Sequence, residues 1–241
     1  MTRWFTRMAA VVVAGLAATT SAKADIELAL AEDAGARMVI ATGPSFMPLS
    51  APSPFTFGDF TISVFGGSAI NGGSLSSLLS STTQITNNSG ATHTLHLWVT
   101  QTGYTTPAGT PLIVESGLAG TQNNGTVGLS GIFQAYVDKN NNLFGTSDFT
   151  NGPQNASLAI STFDTGSALG SFSRTDSNPY SVTSVANFSL TGGGVGNYSD
   201  HVNLTPTPVV PAPPALFLVG AAVPVLALRR WYAKRKAVAA A

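Results

Sequence analysis

Two histidines, His93 and His96, offer the most versatile chemistry in this chain at close spacing. Residues three apart share a face in a helix but lie on opposite faces of a strand. The surrounding run alternates Leu95, Leu97 and Val99 with polar neighbours and reads as a strand, so the pair is not expected to share a metal ion; zinc would also need further ligands. His201 stands alone and reads as a surface position. The run Asp138-Lys139-Asn140-Asn141-Asn142 opens like a calcium loop, where alternate side chains chelate the ion. It then departs from that pattern, with Leu143 at the glycine position and Phe149 at the bidentate glutamate position, so a polar hairpin turn is the expectation. No metal site is assigned and the expected cofactor is none, with calcium on dispersed Asp and Asn oxygens as the open alternative.

Catalytic groups are equally sparse. The chain has no cysteine, no Gly-x-Ser-x-Gly elbow and no Ser-x-x-Lys, so no catalytic residue is assigned and enzymatic activity is not expected. Asp59, Glu115, Asp148 and Asp164 could serve glycoside hydrolysis only if folding brought two of them within about 10 Å. Trp98, Tyr104 and Tyr136 would suit stacking on sugar rings if exposed, and ordinary packing between strands if not. A polysaccharide-binding or polysaccharide-active β-sandwich is therefore the alternative reading of function.

The segments that must position these residues look like strands. Residues 25–204 are rich in Thr, Ser, Gly and Asn, with little helical periodicity. Ile26, Leu28 and Leu30 alternate along one strand, Glu32 to Gly35 supply turn chemistry, and 37–41 returns as the second arm of a hairpin. Residues 55–64 read as one long strand with a slip near Gly58, and further strands are expected at 92–100, 126–137, 156–163, 180–190 and 197–204. Residues 66–81 and 192–196 read as loops. The fold class that follows is all-β, an antiparallel β-sandwich or jelly-roll-like body, large enough to bury about 70% of its unfolded surface. Without disulfides, stability must come from packing or bound ions.

Charge separates this body from the ends. All 11 acidic residues lie between Asp25 and Asp200, where only Arg37, Lys139 and Arg174 are basic. An acidic body repels phosphate backbones, so nucleic acid is not an expected partner. Residues 1–24 read as a signal peptide: Arg3 and Arg7, an 11-residue apolar run over 8–18, and Ala22-Lys23-Ala24 before Asp25 as the cleavage site. Export machinery and signal peptidase are the partners this implies.

The other end has three parts. Residues 205–214 form a proline-rich linker that neither helix nor central strand accommodates. Residues 215–228 are apolar apart from Pro224 and are expected to form a short hydrophobic helix; 229–241 is a basic tail that stays cytoplasmic. Fourteen helical residues span about 21 Å, short of a hydrocarbon core of about 30 Å, which suits a transient anchor. Val210-Pro211-Ala212-Pro213, the apolar segment and Arg229-Arg230 together resemble the C-terminal sorting signal of PEP-CTERM proteins, with Ala212 where the common motif has glutamate. The resemblance covers about the last 30 residues. It implies processing near Pro211 to Pro213 by an exosortase-like sorting enzyme, attachment to the inner membrane until then, and delivery to the cell surface or an extracellular polysaccharide matrix. The functional expectation is an exported structural or adhesive protein of a bacterial surface.

Overall fold

The structure is a computed structural model that describes residues 25–123, 128–174 and 178–208. Sixteen strands and no helix are found among them. The opening hairpin forms as expected from β1 (Asp25–Glu32) and β2 (Met38–Pro44), followed by the short β3 (Leu49–Ser50). The long strand expected over 55–64 is instead a hairpin, β4 (Phe55–Phe57) and β5 (Phe60–Ile62). Gly58 adopts φ +54. A glycine at the first place of a two-residue loop lets the chain reverse with the twist of its strands, so the apparent slip in alternation is the turn itself.

Residues 66–81 are not a loop either. They belong mostly to β6 (Phe65–Asn71) and β7 (Ser76–Asn87), which pair antiparallel. Small residues there serve packing: a Cβ on Gly67 would lie 2.8 Å from Val99 Cγ1 and 3.3 Å from Leu28 Cδ2, so the glycine lets two sheets approach. β8 (His93–Tyr104) matches its expected position, whereas β9 (Leu112–Asn123), a central strand, was not signalled because Ser116, Gly117 and Gly120 interrupt its apolar alternation.

β10 (Phe133–Asp138) and β11 (Phe149–Thr150) pair across the 139–148 turn, which confirms a hairpin there. β12 (Ser157–Ala159) and β13 (Thr162–Asp164) split the strand expected over 156–163 into another hairpin, and β14 (Ala168–Phe172) follows. β15 (Tyr180–Leu190) and β16 (Val195–Pro206) complete the series, with 191–194 as the connection between them.

These strands form two antiparallel sheets, which bears out the all-β expectation. One sheet runs β11-β10-β15-β8-β1-β2 and the other β12-β13-β9-β16-β7-β5-β4, with β14 also on β9 and β6 also on β7. Period-two alternation sends Ile26, Leu28, Leu30, Leu95, Leu97, Val99, Val182, Ala186 and Phe188 inward from the first sheet, to meet Leu78, Val114, Leu118, Tyr198, Val202 and Leu204 from the second. Aromatic pairs stitch the two: Phe188 lies 5.2 Å from Tyr198 and 5.8 Å from Phe163, and Tyr180 lies 5.7 Å from Phe172.

The outer face of the first sheet is also covered. Turn 139–148 folds across it, with the Phe144 N–H donating to Thr100 Oγ1 at 3.0 Å and the ring edge-on to Trp98 at 6.4 Å. The Arg37 guanidinium lies over both rings, 3.9 Å from the centre of Phe144 and 4.9 Å from that of Trp98. This cover explains why Thr183 and Val185, on the outward side of β15, are buried.

Candidate functional site

At one end of the sandwich four ionisable side chains converge from both sheets. Glu32 closes β1 and Asp33 follows it in a left-handed conformation, φ +49, that starts the reversal into β2. Antiparallel pairing of β1 with β8 brings His93, the first residue of β8, beside them, and the Asp33 N–H donates to the Thr94 carbonyl at 2.8 Å. Asp59, at the tip of the β4–β5 hairpin, arrives from the second sheet. Its backbone N–H donates to both Glu32 carboxylate oxygens at 3.3 Å, which couples the hairpin tip to the end of β1.

His93 is the hub. Its Nδ1 lies 2.8 Å from Asp33 Oδ2 and 3.9 Å from Glu32 Oε1, while its Nε2 lies 3.3 Å from Asp59 Oδ2. The hydrogen bond to Asp33 and the negative charges of Asp33, Asp59 and Glu32 hold the imidazole above its usual pKa. Reciprocally, the hydrogen bond from His93 and a 2.8 Å bond from the Thr94 N–H to Oδ1 hold the Asp33 carboxyl below the ordinary range. The four side chains line an open cleft of about 620 Å³ together with Met38, Phe57 and Gly58.

His96 lies on the other face of β8, as strand geometry requires, with Nδ1 2.6 Å from Asn187 Oδ1 and Nε2 3.1 Å from the Asp33 carbonyl. His93 and His96 therefore do not converge on one point, yet His93 is more than an ordinary strand position. Its partners are remote in sequence, and Glu32 and Asp33 already had a sufficient explanation as turn residues. The available signal was positional: a hairpin that ends at Glu32 must set it beside the start of whichever strand pairs with β1.

The other sequence candidates fall elsewhere. The Asp138 carboxylate is buried and occupied by its own turn, accepting from the Asn140 N–H at 2.8 Å, the Asn142 amide at 2.9 Å and the Ser147 hydroxyl at 3.3 Å. Asp148 pairs with Lys139 Nζ at 2.8 Å, and the Lys139 N–H also donates to it. Glu115 accepts from the Ser167 hydroxyl and Asp164 from the Gly166 N–H. Asp164 pairs with Ala119, four residues along β9 from Glu115, a separation of about 13 Å.

Tyr104 is wholly interior, stacked on Tyr180 at 5.4 Å and donating to the Ser77 carbonyl at 2.8 Å, so of the two readings open for it the structure shows packing between strands. Trp98 lies under Phe144 and Arg37, and Tyr136 is half-buried on β10. His201 is half-buried, its ring over Gly117. Asp25 opens β1. Ala22 and Ala24 of the expected cleavage site, and Val210, Pro211, Ala212, Pro213, Arg229 and Arg230 of the sorting signal, lie outside the described residues, as does the 215–228 segment. No helix among the described residues is long and apolar enough to cross a membrane.

One acidic group that sequence reasoning passed over is Asp200. It points inward from β16, accepts from the Ser80 N–H at 2.8 Å and the Ser80 hydroxyl at 2.7 Å, and that hydroxyl lies 3.1 Å from Tyr198 Oη. Burial pushes its pKa up to about 7 against the opposing effect of the Ser80 bonds.

No family model, curated protein or solved structure matches this chain. The geometry of the described residues and the pattern of the two ends therefore carry the functional reading.

Proposed function

We propose that this chain is an exported structural or adhesive protein of a bacterial surface or extracellular matrix, delivered by its two ends. Signal peptidase releases residues 1–24. Residues 205–241 act as a PEP-CTERM-like sorting signal whose 215–228 helix holds the protein at the inner membrane, basic side inward, until an exosortase-like enzyme acts near Pro211 to Pro213.

The observation that carries this reading is where the last strand stops. β16 pairs with β9 as far as Pro206 opposite Leu112, and its last inward residue is Leu204. Among the described residues, strand pairing thus ends at the first proline of the linker, which fits a tail whose role is delivery. The polar, acidic body fits a surface component.

Fractionation and intact-mass analysis in the native host test the proposal. The expected product begins at Asp25, lacks the basic tail and is found at the surface or in the matrix. Deletion of 207–241 should leave a folded, soluble body that fails to reach that destination. An uncut tail in the inner membrane would overturn the sorting reading.

A further inference from the structure

We propose that Glu32, Asp33 and His93 bind one divalent transition-metal ion of the Zn2+ class, with Asp59 orienting the histidine. Glu32, Asp33 and His93 each offer one potential ligand atom, and the three atoms lie within 4.8 Å of one another. Zinc bonds of about 2.0–2.1 Å in a tetrahedron set its ligands roughly 3.3 Å apart. The observed separations of 2.8 Å from Nδ1 to Oδ2 and 3.9 Å from Nδ1 to Oε1 bracket that value, so small side-chain rotations admit the ion.

His93 and Asp33 are each already aimed by a partner on the far side. Asp59 Oδ2, 3.3 Å from Nε2, is placed to accept the Nε2–H, and that tautomer leaves the Nδ1 lone pair facing Asp33 and Glu32. A carboxylate on the outer nitrogen of a metal-binding histidine fixes the ring and raises its basicity. The Thr94 N–H holds Asp33 Oδ1 and leaves Oδ2 for the ion, while the Asp59 N–H steadies Glu32. The cleft of about 620 Å³ in front of the cluster leaves room for solvent or a ligand group at the fourth position.

Charge and ligand type select the ion. Among the described residues, the ion pairs of Glu32, Asp33 and Asp59 all run to His93, so three carboxylates share one imidazole and an added cation is favoured. An imidazole nitrogen suits zinc and its neighbours, whereas Ca2+ and Mg2+ prefer shells of oxygen. Glu32 and Asp33 belong to the β1 end and His93 to the start of β8, so the ion would pin two neighbouring strands of one sheet, with the β4–β5 tip joined to it only through the contacts of Asp59 with His93 and Glu32, in a chain without cysteine. The site does not depend on how the chain is delivered.

The test uses the full-length chain in mild detergent, stripped with EDTA and titrated with Zn2+, Mn2+, Ca2+ and Mg2+ by calorimetry and thermal unfolding. One Zn2+ per chain is expected, with a midpoint rise of about 5–10 °C near saturation. His93→Ala and Glu32→Gln should each abolish that binding, and Asp59→Asn should weaken it about 10- to 100-fold. Far-UV circular dichroism checks folding; if His93→Ala does not fold, the near-isosteric Glu32→Gln decides. Absence of Zn2+ binding would mean that His93 only bridges Asp33 and Asp59 as an ion pair, and would overturn the proposal. So would Zn2+ binding undiminished in the folded variants, or Ca2+ binding as tight as Zn2+.

Discussion

Individual residues in this protein divide into polar groups that are satisfied locally and a few whose environment changes their chemistry. Asp138 shows the first kind: three donors from its own turn meet its carboxylate, so a sequence that begins like a calcium loop closes as a hairpin. Asp200 shows the second. Its native pKa of about 7 lies above the ordinary 3.8, so the native state retains a proton that the unfolded chain releases. Stability from this group is fully present below pH 4, falls between about pH 4 and 7, and is level above that range. At 1.36 kcal/mol per unit the loss is on the order of 4 kcal/mol. Asp200→Asn should flatten that part of the profile, so urea unfolding at pH 4, 6 and 8 should show a smaller decline than in the parent. An unchanged decline would place the titration elsewhere.

At the level of elements, the β4–β5 hairpin matters most for the site, because its two-residue loop presents Asp59 to His93 and Glu32. A Cβ at Gly58 would lie 1.5 Å from Glu32 Oε2, and φ there is +54. Gly58→Ala should therefore cost about 1–2 kcal/mol for the left-handed backbone alone, and more for displacing the Glu32 carboxylate. Combining it with Glu32→Ala separates the two contributions, since the collision disappears while the backbone cost stays. Thermal unfolding of the four proteins measures this, and strictly additive effects would show that Glu32 does not press on the turn. Turn 139–148 follows the same logic on the other face: its sequence looks like solvent-exposed punctuation, yet Phe144 and Arg37 shield Trp98.

For the molecule as a whole, cohesion depends on aromatic contact between the sheets. Phe188 is fully buried between Phe163 and Tyr198, so Phe188→Ala should destabilise the sandwich by about 3–5 kcal/mol, read as a drop in the urea midpoint with little change in slope. An effect below 1 kcal/mol would mean that the sheets close over the gap. The all-β class was legible in the sequence, as were β1, β2, β8, β15 and β16, because alternation such as Ile26, Leu28, Leu30 or Leu95, Leu97, Val99 is a local property of the chain. The placement of His93 and His96 on opposite faces of β8 was legible for the same reason. Strands β6, β7 and β9 were not, because their serines and glycines are justified only by what lies opposite, as Val99 and Leu28 do at Gly67. Nor was the cluster around His93, whose carboxylates stand 60, 61 and 34 positions away in the chain. Local patterning determined which segments became strands and which faces turned inward. Only the tertiary structure decided which strand ends would meet, because sheet pairing and the closure of two sheets depend on contacts between residues far apart in sequence.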